Sequence, residues 1–420
     1  MYDILNVYLE NGLRVIMHKI PFSRTMSCGI WVKQGSKHEN KDTSGLSHLI
    51  EHLMVNNASE NERYRQIISE VTSYGVLYNA GTTKETTSYY FTGLSNMLDK
   101  CISALATIMI DNRNFKINNV DNEKKVVIQE AMSFYSSFNQ IKERTSQAIW
   151  GNVGVGKIIV GDIEKIKATD LEQLQQLIAS AYTPENACLI VVGDIDYANT
   201  LSIIEENFLR WKDDETNYYE EVINSEAGIY YNANNTSNAV ISIGFRSPSY
   251  RNKERFDVEV ISKILGDTSL ESRLVKEIRV KRGLAYNVGS FAAFYENRGT
   301  LGFTAVCNNN SVGEVVKIIM DELNNVKAKG FREKEIQRAK KILETKTILD
   351  INELTSHLKY LARYSVSGQV FSLEHEIRQI KKIKTDTVVN TANGYLIDDN
   401  LGFAGIGNFD IDEVAALLKF

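Results

Sequence analysis

Proline is scarce, with three in 420 residues, so chain reversals must rest on Gly, Asn and Asp. Histidine is also sparse, with six, which gives weight to any two at ligand spacing. The four cysteines, Cys28, Cys101, Cys188 and Cys307, lie far apart with no C-x-x-C pair. That excludes a cysteine-built metal site and reads as reduced thiols in the core. No apolar run approaches the roughly 20 residues of a membrane-spanning helix. A net charge of −5 leaves no basic footprint for nucleic acid or an anionic membrane surface. The first residues, MYDILNVYLENGLRVIMH, lack the basic start of a signal peptide. Their apolar residues alternate around Glu10-Asn11-Gly12, which predicts a β-hairpin and a cytoplasmic protein.

What remains is a globular composition, 43% apolar and 24% charged, on a chain long enough to bury a large core unaided. Strand-like and helix-like patterns alternate throughout, as in layered α+β or α/β folds. The stretch from Lys212 to Glu221, KDDETNYYEE, is polar and acidic and reads as a linker. A faint repeat flanks it. Tyr182 to Asp194 reads YTPENACLIVVGD, and Tyr395 to Asn408 reads YLIDDNLGFAGIGN; each leads through a buried strand to a Gly and then to a helical pattern. The expected architecture is therefore two homologous sandwich-like domains, each an antiparallel or mixed sheet with helices packed on it, over residues 1–212 and 229–420. Residues 213–228 would link them.

The densest chemistry lies in DTSGLSHLIEHLMV. Leu46, Leu49, Ile50, Leu53 and Met54 follow the spacing of an amphipathic helix, with Thr43 and Ser44 available to cap it. His48, Glu51 and His52 then cluster on the opposite face, whereas core histidines would lie on the apolar stripe. Imidazoles at i and i+4 project in parallel and offer two corners of a tetrahedral Zn²⁺ site, with a carboxylate beside them to accept a proton from bound water. The spacing H-x-x-E-H is the inverse of H-E-x-x-H. A catalytic zinc needs a third protein ligand. The best candidate segment is NEKKVVIQEAMSF, whose helical pattern aligns Glu123, Val126, Val127, Glu130 and Phe134 along one side. Carboxylates among apolar side chains are costly there unless paired or metal-bound.

These motifs resemble those of the pitrilysin/insulysin family of zinc metallopeptidases, especially its short bacterial members and the mitochondrial processing peptidase. GIWVKQGSKHEN running into GLSHLIEHLMV is similar to the metal-helix signature, and EKKVVIQEAM to the third-ligand helix. YTPENACLIVVGDID is similar to the strand closing the first domain. The resemblance spans nearly the whole chain and implies Glu130 as third ligand, with Glu123 as a second carboxylate supporting the site. It also implies that YNAGTTKETTSYYFTGL contributes substrate contacts at Asn79 and Ala80, with TTSYYFTGL as an edge on which an extended peptide pairs. In SLESRLVKEIRVKRGLAY, Glu271 offers a capping box with the preceding Thr268, and Gly283 a helix stop. By resemblance, Arg279 and Tyr286 in that segment contact substrate near the scissile bond. Full-length relatives enclose a chamber with four such domains. Two domains here imply a dimer, with a second copy or with a sister subunit. WGNVGVGKIIVG departs from relatives that often carry a His-Pro loop at this point.

Two other signals are weaker. Gly151 to Lys157, GNVGVGK, matches part of a phosphate-binding loop, but Ile158 stands where Ser or Thr is required. A helical pattern precedes it where a strand is needed, so the segment reads as a flexible interdomain loop. His18, His38, His357 and His375 have no partners at ligand spacing and read as structural or solvated. The competing function is a non-catalytic or partner subunit of a processing peptidase. Such chains typically carry a damaged metal motif, and here the motif is intact.

Overall fold

The computed structural model describes residues 4–212, 225–267, 269–366 and 368–420. Thr268, and with it the expected capping box, lies outside the described residues, as do residues 213–224 of the expected linker. The chain forms two compact units, one of residues 1–133, 159–221 and 349–372, the other of 134–158, 222–348 and 373–420. A single cut near residue 212 does not separate them, because each half of the sequence lends one segment to the opposite unit.

The first unit holds β1 (Ile4–Tyr8), β2 (Arg14–Lys19), β3 (Thr25–Val32), β4 (Leu77–Thr82), β5 (Thr87–Leu94) and β6 (Ala187–Gly193) in the order β1-β2-β6-β3-β5-β4. The second holds β7 (Ile229–Ala233), β8 (Asn238–Ser247), β9 (Ala285–Phe294), β10 (Gly299–Asn308) and β11 (Leu401–Gly407) in the order β7-β11-β8-β10-β9. The helices framing the sheets include α1 (Leu46–Glu60), α2 (Ile117–Ser136), α3 (Ile141–Trp150), α4 (Arg255–Gly266) and α5 (Leu354–Val366).

The hairpin expected at the start is present: β1 pairs antiparallel with β2, and Gly12 turns the chain at a φ of 84°. The repeat is also present. β6 runs parallel to β2 and antiparallel to β3, and β11 runs parallel to β7 and antiparallel to β8. Apart from β1, the two sheets have the same strand order and directions. The edge assignment needs correction. TTSYYFTGL becomes β5, an interior strand between β3 and β4, so the open edge is β4, which carries Asn79 and Ala80. Burial follows these positions in the sheet. Thr87 to Phe91 are all buried, as in a strand covered on both sides, whereas Leu77, Asn79 and Gly81 are partly or fully exposed.

Continuous apolar runs such as CLIVV in β6 arise because both sheet faces are covered. Leu189 and Val191 enter the main core with Leu49 and Leu53 of α1. Ile190 and Val192 are equally buried on the other face, against which α5 packs. The second unit repeats the device: Ile241 and Ile243 enter its main core, and Val240, Ala404 and Ile406 pack on Ile141 of α3. All four cysteines are free, buried thiols, as expected. Gly151 to Lys157, expected as a flexible interdomain loop, is instead a packed turn after α3. Gly154, Val155, Gly156 and Lys157 are buried, and a Cβ at Gly156 would lie 1.9 Å from the Gly151 carbonyl oxygen.

Polar contacts fix α5 on its sheet. Buried Arg14 donates to the carbonyls of Ser365, at 3.0 Å, and Gln369, at 3.2 Å, near the helix C-terminus where a cation is favoured. His357 on α5 lies 3.0 Å from His18 on β2, so two of the histidines read as structural form a buried pair. Burial, and then the neighbouring His18, push the His357 pKa down from 6.5 to about 3. A base with a lower pKa in the folded chain binds fewer protons there than when unfolded. Its contribution to stability is intact above pH 6.5 and is lost as pH falls from there toward 3. In urea unfolding of the metal-free chain, His357→Gln is expected to flatten the acid-side loss by up to about 1.4 kcal/mol per pH unit. An unchanged slope would place the titrating proton elsewhere.

Candidate metal centre

Helix α1 positions the H-x-x-E-H residues through its apolar stripe. Leu46, Leu49, Ile50, Leu53 and Met54 are all buried, as the spacing predicts. Its cap differs from the prediction. Thr43 and Ser44 accept instead from the backbone of Asn40, at 2.8 Å, and of Asp162, at 3.2 Å. The helix starts at Gly45, with a φ of 89°, and the buried carboxylate of Glu39 accepts from the backbone N–H of Gly45 and of Ser47, each at 2.9 Å. An anion at this end complements the helix dipole. Gly161 passes so close that a Cβ on it would lie 2.1 Å from the Gly45 Cα, which accounts for glycine at both positions.

On the opposite face of α1, the His48 and His52 rings stand perpendicular with centroids 4.8 Å apart. Helix α2 brings Glu130 to both. Its Oε2 lies 3.5 Å from His48 Nε2 and 3.4 Å from His52 Nε2. Bonds of about 2.0–2.1 Å to a tetrahedral Zn²⁺ give ligand–ligand edges of about 3.4 Å, which both Glu130 distances match, and all three donor atoms lie within 4.8 Å of one another. Among the described residues this is the one group of three metal-competent side chains whose donor atoms converge. Glu123, one helical repeat earlier, places its Oε2 3.4 Å from His52 Nδ1, the nitrogen facing away from Glu130. Val126 does not share that side as the pattern suggested; it is exposed, while Val127 and Ala131 fill the core.

The electrostatics favour metal over proton. Burial first, and the nearby His52 second, lower the His48 pKa to about 4, leaving a neutral imidazole at neutral pH. Glu51 is buried and its carboxyl pKa is raised, chiefly by desolvation, with Thr82 and His52 opposing that shift. Its Oε2 accepts a hydrogen bond from Thr82 Oγ1 at 2.7 Å.

Thr82 and Glu39 were not singled out in the sequence. Thr82 reaches Glu51 only through strand pairing, and Glu39 reaches Gly45 only through the loop between them, so neither leaves a periodic signal. Asn79 is exposed on β4, where its side chain accepts from the Ala80 N–H at 2.9 Å. Arg279 and Tyr286 lie in the second unit. The Arg279 guanidinium sits 4.6 Å from the Tyr286 ring centroid, and Tyr286 is 82% exposed. Arg279 falls in a π-helical stretch, Val275–Lys281, after which Gly283 turns the chain at a φ of 64°.

Fold and site together define a duplicated α+β protein with an inverted H-x-x-E-H centre in its first unit. Residues 14–162, with His48, Glu51, His52, Glu123 and Glu130, match the family described as Insulinase (Peptidase family M16). Residues 168–343, with Arg279 and Tyr286, match the one described as Peptidase M16 inactive domain. The chain belongs to the M16 peptidase family. It is 28% identical over 408 residues to an uncharacterised zinc protease of Mycobacterium leprae, covering 96% of this chain and 91% of that one. It is 25% identical over 394 residues to another of Bacillus subtilis, covering 93% and 95%. A crystal structure of a protease from Helicobacter pylori superposes with a TM-score of 0.88 at 21% identity, over 97% of this chain and 99% of that one.

Zn²⁺ titration of the metal-free chain is expected to saturate near one ion per chain. His48→Ala and Glu130→Gln are expected to abolish tight binding. Glu123→Gln keeps all three donors and is expected to weaken binding by about 10–100-fold, the effect typical of losing a carboxylate behind a histidine ligand. Equal affinity for Glu123→Gln and wild type would separate Glu123 from the metal.

Proposed function

We propose that this chain is a zinc-dependent endopeptidase that hydrolyses unstructured peptides or the leader segments of precursors, working in the cytoplasm as a dimer. The observation that carries the reading is the convergence of His48 Nε2 and His52 Nε2, from the helix that also presents Glu51, on one oxygen of Glu130. His48, His52 and Glu130 hold the zinc. When bound, the ion lowers the pKa of a bound water towards ~7 and polarises the scissile carbonyl. Glu51 takes a proton from the attacking water and delivers it to the leaving amine. Glu123 keeps His52 oriented through Nδ1. The open edge of β4, with Asn79 and Ala80, pairs with an extended peptide through backbone hydrogen bonds, which tolerates many sequences. Arg279 and Tyr286 donate to the substrate carbonyl as negative charge develops on it.

The dimer assignment rests on the family resemblance: full-length relatives enclose a chamber with four such domains, and this chain has two units. In a two-fold homodimer each chain supplies Arg279 and Tyr286 to its partner's zinc. The four free cysteines agree with a reducing compartment.

Glu51→Gln is expected to retain zinc and to lower kcat on a flexible peptide by about 10²–10⁴-fold, while a tightly folded domain resists the wild-type chain. A wild-type chain loaded with zinc yet inert on flexible peptides would instead favour the non-catalytic partner reading. Mixing Glu51→Gln with Arg279→Ala chains under verified exchange is expected to restore about a quarter of wild-type sites, since half of the dimers are mixed and one site in each is intact. Activity no greater than the sum of the two variants would refute the shared site.

A further inference from the structure

The carboxylate of Glu51 is held from a strand. Thr82, the last residue of β4, donates its hydroxyl proton to Glu51 Oε2 at 2.7 Å. Its pairing partner on β5 is Thr87, whose hydroxyl lies 3.5 Å away and donates its own proton to the Gln34 carbonyl at 2.8 Å. A hydroxyl has one proton. With the Thr87 proton committed to Gln34, Thr87 offers Thr82 only lone pairs at long range, and the short bond to Glu51 takes the Thr82 proton. Thr83 donates to the Thr86 carbonyl at 2.8 Å, which closes the turn between β4 and β5 just beyond Thr82.

We propose that Thr82 is a positioning residue for the general base: it fixes Glu51 Oε2 by a hydrogen bond from the strand that receives the peptide, leaving Oε1 to handle the water proton. This rests on the peptidase reading of the same site. Glu51 then has a set orientation before substrate arrives, and the receiving edge and the base move as one element.

Thr82→Val keeps the size and β-branching and removes the donor. It is expected to lower kcat on a flexible peptide by about 10- to 100-fold, the scale of losing a hydrogen bond to a charged group, with KM within twofold and zinc stoichiometry unchanged. Thr82→Ser, which restores the hydroxyl, is expected to recover to within about threefold of wild type. A purely structural role predicts no rescue by Ser, or zinc loss in step with activity, and either result overturns the proposal. A second measurement needs no catalysis. In the metal-free chain, Thr82→Val is expected to lower the urea midpoint when Glu51 is present and to leave it unchanged in a Glu51→Ala background. Thr82→Ala replaces Thr82→Val if that variant does not fold. Equal shifts in both backgrounds would overturn the link. If the wild-type chain cleaves nothing, the peptidase reading fails, while the unfolding comparison still decides whether Thr82 holds Glu51.

Discussion

One carboxylate oxygen facing two imidazoles governs the first unit. His48 and His52 occupy consecutive turns of α1 because the opposite face of that helix is apolar and buried. Placing Glu130 Oε2 within 3.5 Å of both Nε2 atoms requires α2 to cross at one height and one rotation. Neighbouring features serve that placement. Glu39 closes the start of α1, and Gly45 and Gly161 let two stretches of backbone touch. Val127 and Ala131 seat α2 so that Glu123 and Glu130 emerge on the same side. The neutral imidazole of His48, the His52 ring and the carboxylate of Glu130 form a set that a divalent cation completes.

The two sheets repeat one topology with different side chains. Strand order and direction agree from β2 to β4 and from β7 to β9. The helix after β3 carries two histidines, whereas α4, after β8, carries none. In the first unit the far edge strand, β4, bears Thr82, Asn79 and Ala80. In the second, the equivalent strand, β9, bears Tyr286. The candidate site residues thus fall on equivalent strands of the two units but are different side chains.

How much of this was legible in the sequence follows from the physics of each element. The H-x-x-E-H helix declared itself because helical periodicity puts its stripe and its ligands on opposite faces. The hairpin around Gly12 and the repeated buried strands were equally local patterns. The identity of the edge strand was not local: β4 and β5 have similar residues, and only pairing partners far away in sequence decide which one is covered. Glu39 and Thr82 were invisible for the same reason, since each acts across a loop or a strand register. The exchange of α3 and α5 between the units left no mark that periodicity could detect, because a helix patterned to cover a sheet does not say which sheet.

That exchange carries a consequence for synthesis. Strands β3 and β6 are complete once residue 193 has been made, but the helix that packs on the Ile190 face ends at Val366. A ribosome adding about 5–20 residues per second leaves that face uncovered for roughly ten to thirty seconds. The nascent first unit must wait, apolar surface exposed, for a segment encoded near the far end of its message. A truncated transcript would therefore yield an incompletely closed unit rather than a smaller complete one, even with His48, His52 and Glu130 all present.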